Sequence, residues 1–168
     1  MEGDQARDES SARGSRWPDR GPSADADPVL SGTAPLSAFT EAEVAYLSGQ
    51  RLGRLATVGP NGQPHVVPVG FRYNAEHDTI DIGGHDFAKR KKFRDVRADP
   101  RVAFVVDDLA TVTPWRPRGI EVRGSAEVLA SGGQAFGRGY DPEIFRIRPR
   151  RIVSWGIEPT RRAVTVSR

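Results

Sequence analysis

From Leu52 onward the chain is a succession of short extended runs separated by turn residues, and that pattern leaves few folds open. Leu52-Gly-Arg-Leu-Ala-Thr-Val58 reads as a first strand. Gly59-Pro60-Asn61-Gly62 follows as a hairpin turn, with glycine and asparagine where positive φ is needed. His65 to Tyr73 returns as a second strand. Pro64 and Pro68 cannot donate to a ladder, so this strand belongs at an edge or a bulge. Thr79 to Ile82 is a third. Asp99-Pro100 stops a helix, and Arg101 to Val106 is a continuous apolar strand. Ile120 to Leu129 alternates between faces, with Gly124 expected at a bulge. Glycines 132, 133, 137 and 139 mark a loop. Ile144 to Ile157 is the last long extended segment, and Ala163 to Val166 reads either as one more short strand or as a frayed tail.

Two helices interrupt the strands. Thr40-Glu41-Ala42-Glu43 is a capping box, in which the Thr40 hydroxyl and the Glu43 carboxylate each satisfy a free backbone donor. Phe39 and Val44 fit a hydrophobic staple, and Gly49 is a terminator, so the helix spans about 41–48. A second helix opens near Asp86. Six strands with short turns and two or more short helices predict a mainly β domain, a small closed or partly closed antiparallel barrel.

Composition separates the ends. Residues 1–35 are rich in Gly, Ser, Asp, Arg and Pro, with Trp17 as their only aromatic. Such a segment cannot bury enough surface to offset its ordering entropy, so a disordered extension is expected, with the folded domain over 36–168. It has no apolar h-region, and no stretch approaches a membrane span, which makes the cytoplasm the default location. Residues 1–35 carry a net charge of −3, which leaves +6 on the rest. That balance suits an anionic ligand or a nucleic acid. The absence of cysteine excludes disulfides, thiolate nucleophiles and Cys-type metal centres.

The basic residues are unevenly distributed. Against twenty-two arginines there are three lysines, all in the block Lys89-Arg90-Lys91-Lys92. A strand, Gly83-Gly84 and this basic helix start make a place for an anion, because free N–H groups and the helix dipole favour negative charge there. A solvated basic face is the plain alternative. Trp115-Arg116-Pro117-Arg118 suits stacking on a planar ring, gripping phosphate, or packing at a subunit contact. Arg146, Arg148, Arg150 and Arg151 read as a solvated strand face. His65, His77 and His85 have no partners at zinc-ligand spacing, so no metal site is expected. Asp107-Asp108 reads as a charged strand end before it reads as an acid/base pair. No nucleophile–base arrangement, Walker loop or Gly-x-Gly-x-x-Gly fingerprint is present, and no catalytic side chain is assigned. If the chain is an enzyme, a cofactor carries the chemistry.

Leu52 to Val58, the Gly59-Pro60-Asn61-Gly62 turn and Gln63-Pro64-His65-Val66-Val67-Pro68-Val69 together resemble the opening hairpin of the pyridoxamine 5′-phosphate oxidase-like split-barrel superfamily. Lys89 to Arg94, followed by Asp99-Pro100-Arg101-Val102-Ala103, resembles that superfamily's basic helix and its Asp-Pro-Arg-Val sequel. Arg118 to Glu127 and Arg151 to Ile157 extend the likeness to the F420-dependent flavin/deazaflavin oxidoreductases of the B group. The resemblance covers about residues 36–160.

It implies a six-stranded split β-barrel of the FMN-binding type, paired as a homodimer with the cofactor between subunits. It implies that Arg90 and Lys91, with Lys89 beside them, hold the cofactor phosphate. The strand through His65, Val66, Val67 and Pro68 would pass along the cofactor ring, and Trp115, Arg116 and Arg118 would reach over from the other subunit. The implied activity is hydride transfer between reduced coenzyme F420 and an unsaturated small organic substrate. FMN is the alternative cofactor, and a non-catalytic nucleic-acid-binding protein is the alternative of another class. Extra charge at Lys89 and Lys92 favours the polyanionic tail of F420 over the single phosphate of FMN.

Overall fold

The computed structural model describes residues 37–167. The expected disordered extension lies outside the described residues. The elements are α1 (Glu41–Gly49), β1 (Leu52–Val58), β2 (Pro64–Asn74), β3 (Thr79–Ile82), α2 (Lys91–Ala98), β4 (Arg101–Thr111), β5 (Arg116–Leu129), β6 (Ile144–Trp155) and β7 (Arg162–Thr165). The strands run in the order β3-β2-β1-β4-β5-β6-β7, and an added β3–β6 pairing closes six of them into an antiparallel barrel. The seventh strand extends the sheet: β7 pairs with Arg151–Ser154 of β6, beyond the Phe145–Ile147 stretch that β3 occupies.

Alternation fills the barrel. Leu55, Phe104, Val106, Ile120, Val122, Ile80, Ile82, Phe145, Ile147 and Ile152 all point inward and are fully buried. Side chains of this size contribute about 1.5–3 kcal/mol each on burial. Tyr46 and Leu47 of α1 and Phe93 and Val96 of α2 join the same cluster, so both helices seal the barrel. The expected bulge is present: the β5–β6 register shifts between Arg123 and Gly124. A Cβ on Gly124 would stand 2.0 Å from the Arg148 carbonyl oxygen, which explains the glycine.

Two buried carboxylates fasten the closure. Glu43, at the third position of α1, completes the capping box with Thr40 and is fully buried. It also accepts hydrogen bonds from Ser154 Oγ at 2.6 Å and Arg162 Nη1 at 2.9 Å, tying the helix start to β6 and β7. On the opposite seam, Arg146 donates two hydrogen bonds of 2.9 Å to Asp81, joining β6 to β3. Burial pushes the Asp81 carboxyl up, but hydrogen bonds from Arg146 and Asn74 outweigh it and hold the group below the usual aspartate range.

A carboxyl depressed in the folded state stabilises the protein above its unfolded pKa of about 4. That stability disappears as pH falls through the lower folded value. Urea midpoints measured from pH 7 to pH 3 should therefore drop on the acid side. Asp81→Asn should be less stable at pH 7 and should show a shallower acid limb. Parallel curves for the two proteins would remove Asp81 from the acid response.

Candidate cofactor site

The prolines of β2 define the opening. Over Pro64–Gly70 this strand pairs with β1 alone, and β3 joins it only from Phe71 to Asn74. Pro64 and Pro68 thus sit in a half-strand with one free side, as proline's missing N–H requires. Along that free side lies a cavity of about 530 Å³. Its first wall is His65, Val67, Pro68, Val69 and Gly70.

The second wall follows β3. A Cβ on Gly83 would approach Phe136 to 2.9 Å, and one on Gly84 would approach Phe87 to 2.5 Å, so only glycine lets the chain pass. His85 comes next, its ring 4.6 Å from that of Tyr140, which reaches in from the β5–β6 loop.

The third wall is the start of α2, and here the expected continuous helix from Asp86 is corrected. Asp86 is left-handed (φ 50°), Phe87–Lys89 form one 3₁₀ turn, and Arg90 is extended before α2 begins. Packing explains the break. Phe87 is fully buried, with its ring 4.5 Å from Phe145 and 5.6 Å from Phe93, a position that an unbroken helix does not supply.

The break separates the basic residues. Lys89 stays on the outside and pairs with Asp86 at 2.9 Å, and it does not line the cavity. Arg90, Lys91 and Lys92 do line it. Arg90 is the N-cap residue, and no side chain caps the helix. Lys92 is half-buried against Phe87, with its ammonium 5.2 Å from the ring centre. Among the described residues no carboxylate pairs with it. Burial, and then the neighbouring Arg90 charge, push its ammonium below the ordinary lysine value. A desolvated cation beside a second cation, at an open helix N-terminus, is an arrangement completed by an anion.

Lys91 has a different role. Its Nζ donates to both Asp95 oxygens, at 2.7 and 2.9 Å. Asp95 is buried and also accepts from Thr57 Oγ1 at 2.9 Å. Burial raises its carboxyl, but the Lys91 and Thr57 bonds outweigh that and hold it below the usual range. His65 completes the group, with Nδ1 3.5 Å from Asp95 Oδ2.

The remaining predicted residues lie elsewhere in the protomer. Val66 alternates to the outer face, is 60% exposed, and lines a second groove of about 350 Å³ with Ala56, Val105, Val153 and Trp155. Trp115, 67% exposed, and Arg116 lie at the β4–β5 hairpin. Arg118 is held by Asp108 through bonds of 2.6 and 3.0 Å and lies over the Tyr46 ring. Burial, and then the Asp108 charge, push the Tyr46 hydroxyl well above its ordinary value. Asp107 pairs with Arg54 at 3.0 Å, so both members of the Asp107-Asp108 pair are engaged in ion pairs.

Sequence reasoning tied Lys92 to the anion only as extra charge beside Arg90 and Lys91, and it assigned neither His85 nor Tyr140 to the site. For Lys92 the signal existed, in the confinement of lysine to one block. For His85 it lay in adjacency to Gly83-Gly84. For Tyr140, which arrives from a glycine-rich loop distant in sequence, there was none.

A glycine cradle, a free strand edge and a cluster of cations at one end suit an elongated, planar, anion-tailed group. Comparisons agree with this geometry. The pattern of the pyridoxamine 5′-phosphate oxidase family matches residues 39–158. A 5a,11a-dehydrotetracycline/5a,11a-dehydrooxytetracycline reductase of Streptomyces rimosus subsp. rimosus is 48% identical over 120 residues, covering 71% of this chain and 84% of that protein. An F420 reductase of known structure superposes with a TM-score of 0.51 at 28% identity, over 64% of this chain and 93% of its own. A conserved hypothetical protein from Mycobacterium tuberculosis superposes with a TM-score of 0.57 at 25% identity, over 76% of this chain and 91% of its own.

Proposed function

The chain belongs to the pyridoxamine 5′-phosphate oxidase family, and from that premise we propose that it is an F420-dependent oxidoreductase that reduces a conjugated, oxygen-rich organic substrate. The observation that carries the reading is the cation group at the uncapped start of α2, opening onto the free edge of β2. Both the 48% identical reductase and the 28% identical F420 reductase support it. When bound, reduced deazaflavin supplies a hydride. The protein's own residues do the rest. Arg90 and Lys92 hold the phosphate and acidic tail, with Lys91 beside them. The β2 edge from Val67 to Gly70 orients the ring, and Tyr140 and His85 restrict water at the mouth. Convergence of the cations on a cavity favours a small anion over a polymer.

One observation favours FMN as a second reading. Lys89 is neutralised by Asp86 outside the cavity, which removes part of the charge that distinguished a polyanionic tail from a single phosphate. Titrating F420 and FMN into the purified full chain decides between them, with each cofactor's fluorescence as the readout. The expected result is tighter binding of F420, and oxidation of reduced F420 by 5a,11a-dehydrooxytetracycline. Tighter FMN binding would move the assignment to the flavoprotein.

The homodimer belongs to this proposal. The outer groove exposes Val66 beside Val105 and Trp155, an apolar surface that a second copy would cover. In this reading, as the family resemblance implies, Trp115 and Arg116 belong to the partner subunit's cavity. Light scattering on the same sample should give twice the chain mass. A monomer that binds cofactor fully would remove the shared site.

A further inference from the structure

One titratable group in the cavity is left unused by cofactor binding. His65 lines the cavity, yet its Nδ1 is buried and without a hydrogen-bond partner, 3.5 Å from Asp95 Oδ2. The imidazole is therefore oriented, with Nδ1 turned to the carboxylate and its exposed edge to the cavity. We propose that His65 is the proton-transferring residue of this site and that Asp95 positions it. The proposal rests on the oxidoreductase reading above.

The chemistry follows from the orientation. A carboxylate facing Nδ1 selects the neutral tautomer protonated there, which leaves Nε2 as the atom that gains and loses a proton on the cavity side. Asp95 is fixed by Lys91 and Thr57, so it can also stabilise the imidazolium without moving. The 3.5 Å separation is long for a settled hydrogen bond, and such bonds tighten when ligand fills a site. In reduction of a conjugated carbon–carbon double bond, one carbon takes a hydride from the reduced deazaflavin. The π pair shifts to the adjoining atom, which takes the proton from His65 Nε2. His65 leaves the step neutral and regains a proton from water. The other ionisable groups around it are Lys91, Lys92 and Asp95 on α2, Arg90 at the N-cap of that helix, and His85 and Tyr140 on the wall that follows β3.

The test begins on the full chain without cofactor. Long-range proton–nitrogen NMR of the imidazoles should show neutral His65 as the Nδ1–H tautomer, and Asp95→Asn should shift it toward Nε2–H. An Nε2–H tautomer in the wild type would overturn the proposal. Turnover with 5a,11a-dehydrooxytetracycline provides the second readout. His65→Gln should lower kcat by about a hundredfold, in the range of general acid catalysis, and should remove the alkaline limb of the pH profile. Its KM and F420 affinity should stay within about twofold of wild type. Should Asp95→Asn fail to fold, His65→Gln decides alone. Unchanged kcat, or a loss of F420 affinity as large as the loss of rate, would overturn the role of His65 and leave the cofactor assignment standing. A wild type that binds no F420 would overturn that assignment as well.

Discussion

Lys92→Ala will weaken cofactor binding by about tenfold to a hundredfold and leave the fold intact. Hydrogen bonds from a charged donor are worth roughly 1.5–3 kcal/mol, and each 1.4 kcal/mol is a factor of ten. Lys92 has no carboxylate partner among the described residues, so nothing in the protein loses an ion pair when it is removed. Its neighbour Arg90 is relieved of like-charge repulsion while Phe87 loses the Lys92 contact, and these opposing effects should leave the melting temperature of the apo protein close to that of wild type. The contact is ionic, and the difference between wild type and variant should shrink as salt rises. Arg90→Ala should behave similarly. Lys91→Ala will behave differently, because it strands the buried Asp95 carboxylate, so it should lose both affinity and stability. Fluorescence titration and thermal melts of the three variants check this. If Lys92→Ala binds like wild type, the anion is held elsewhere.

Glu43→Ala has the largest expected effect on stability, roughly 2–4 kcal/mol. The carboxylate is fully buried and serves the Thr40 amide, the Ser154 hydroxyl and the Arg162 guanidinium. Alanine leaves all three without it, and the partly exposed Arg162 keeps enough water to hold the cost below that of a fully buried ion. Against a typical total of about 5–15 kcal/mol, this is a large fraction. Glu43→Gln keeps an acceptor oxygen and should fall between the two. Urea unfolding followed by circular dichroism measures the change. A loss below about 1 kcal/mol would mean that α1 is held by its apolar face alone.

The elements that were legible in the sequence are those whose signals are local. The β1–β2 hairpin could be read because its alternation and its Gly-Asn turn lie within one short stretch. The capping box of α1 could be read because Thr40 and Glu43 are three residues apart. The edge character of β2 could be read from proline chemistry at positions 64 and 68. What could not be read depends on distant partners. The basic block looked like one helix start because nothing nearby reveals that Phe87 is drawn into the barrel against Phe145. That single burial turns Lys89 outward and Lys92 inward. Arg118 reads as a free cation until β4 and β5 pair and bring Asp108 opposite it. Val66 and Val67 differ by one step of the strand repeat, and that step sends one to the outer groove and the other to the cavity. Tyr140 reaches the site only through a loop whose course local signals do not determine.

The open half of β2 has a consequence for behaviour in a crowded cell. A strand with one free side is a template on which an unrelated chain can add its own strand and seed insoluble assemblies. A cofactor groove cannot close that side without closing itself to its ligand. Pro64 and Pro68 resolve the conflict, because each removes an amide donor from the strand that an incoming strand would have to zip along, while leaving its carbonyls and the groove open. Replacing either proline would therefore be felt first as a tendency to clump on expression, before any change in the chemistry of the site.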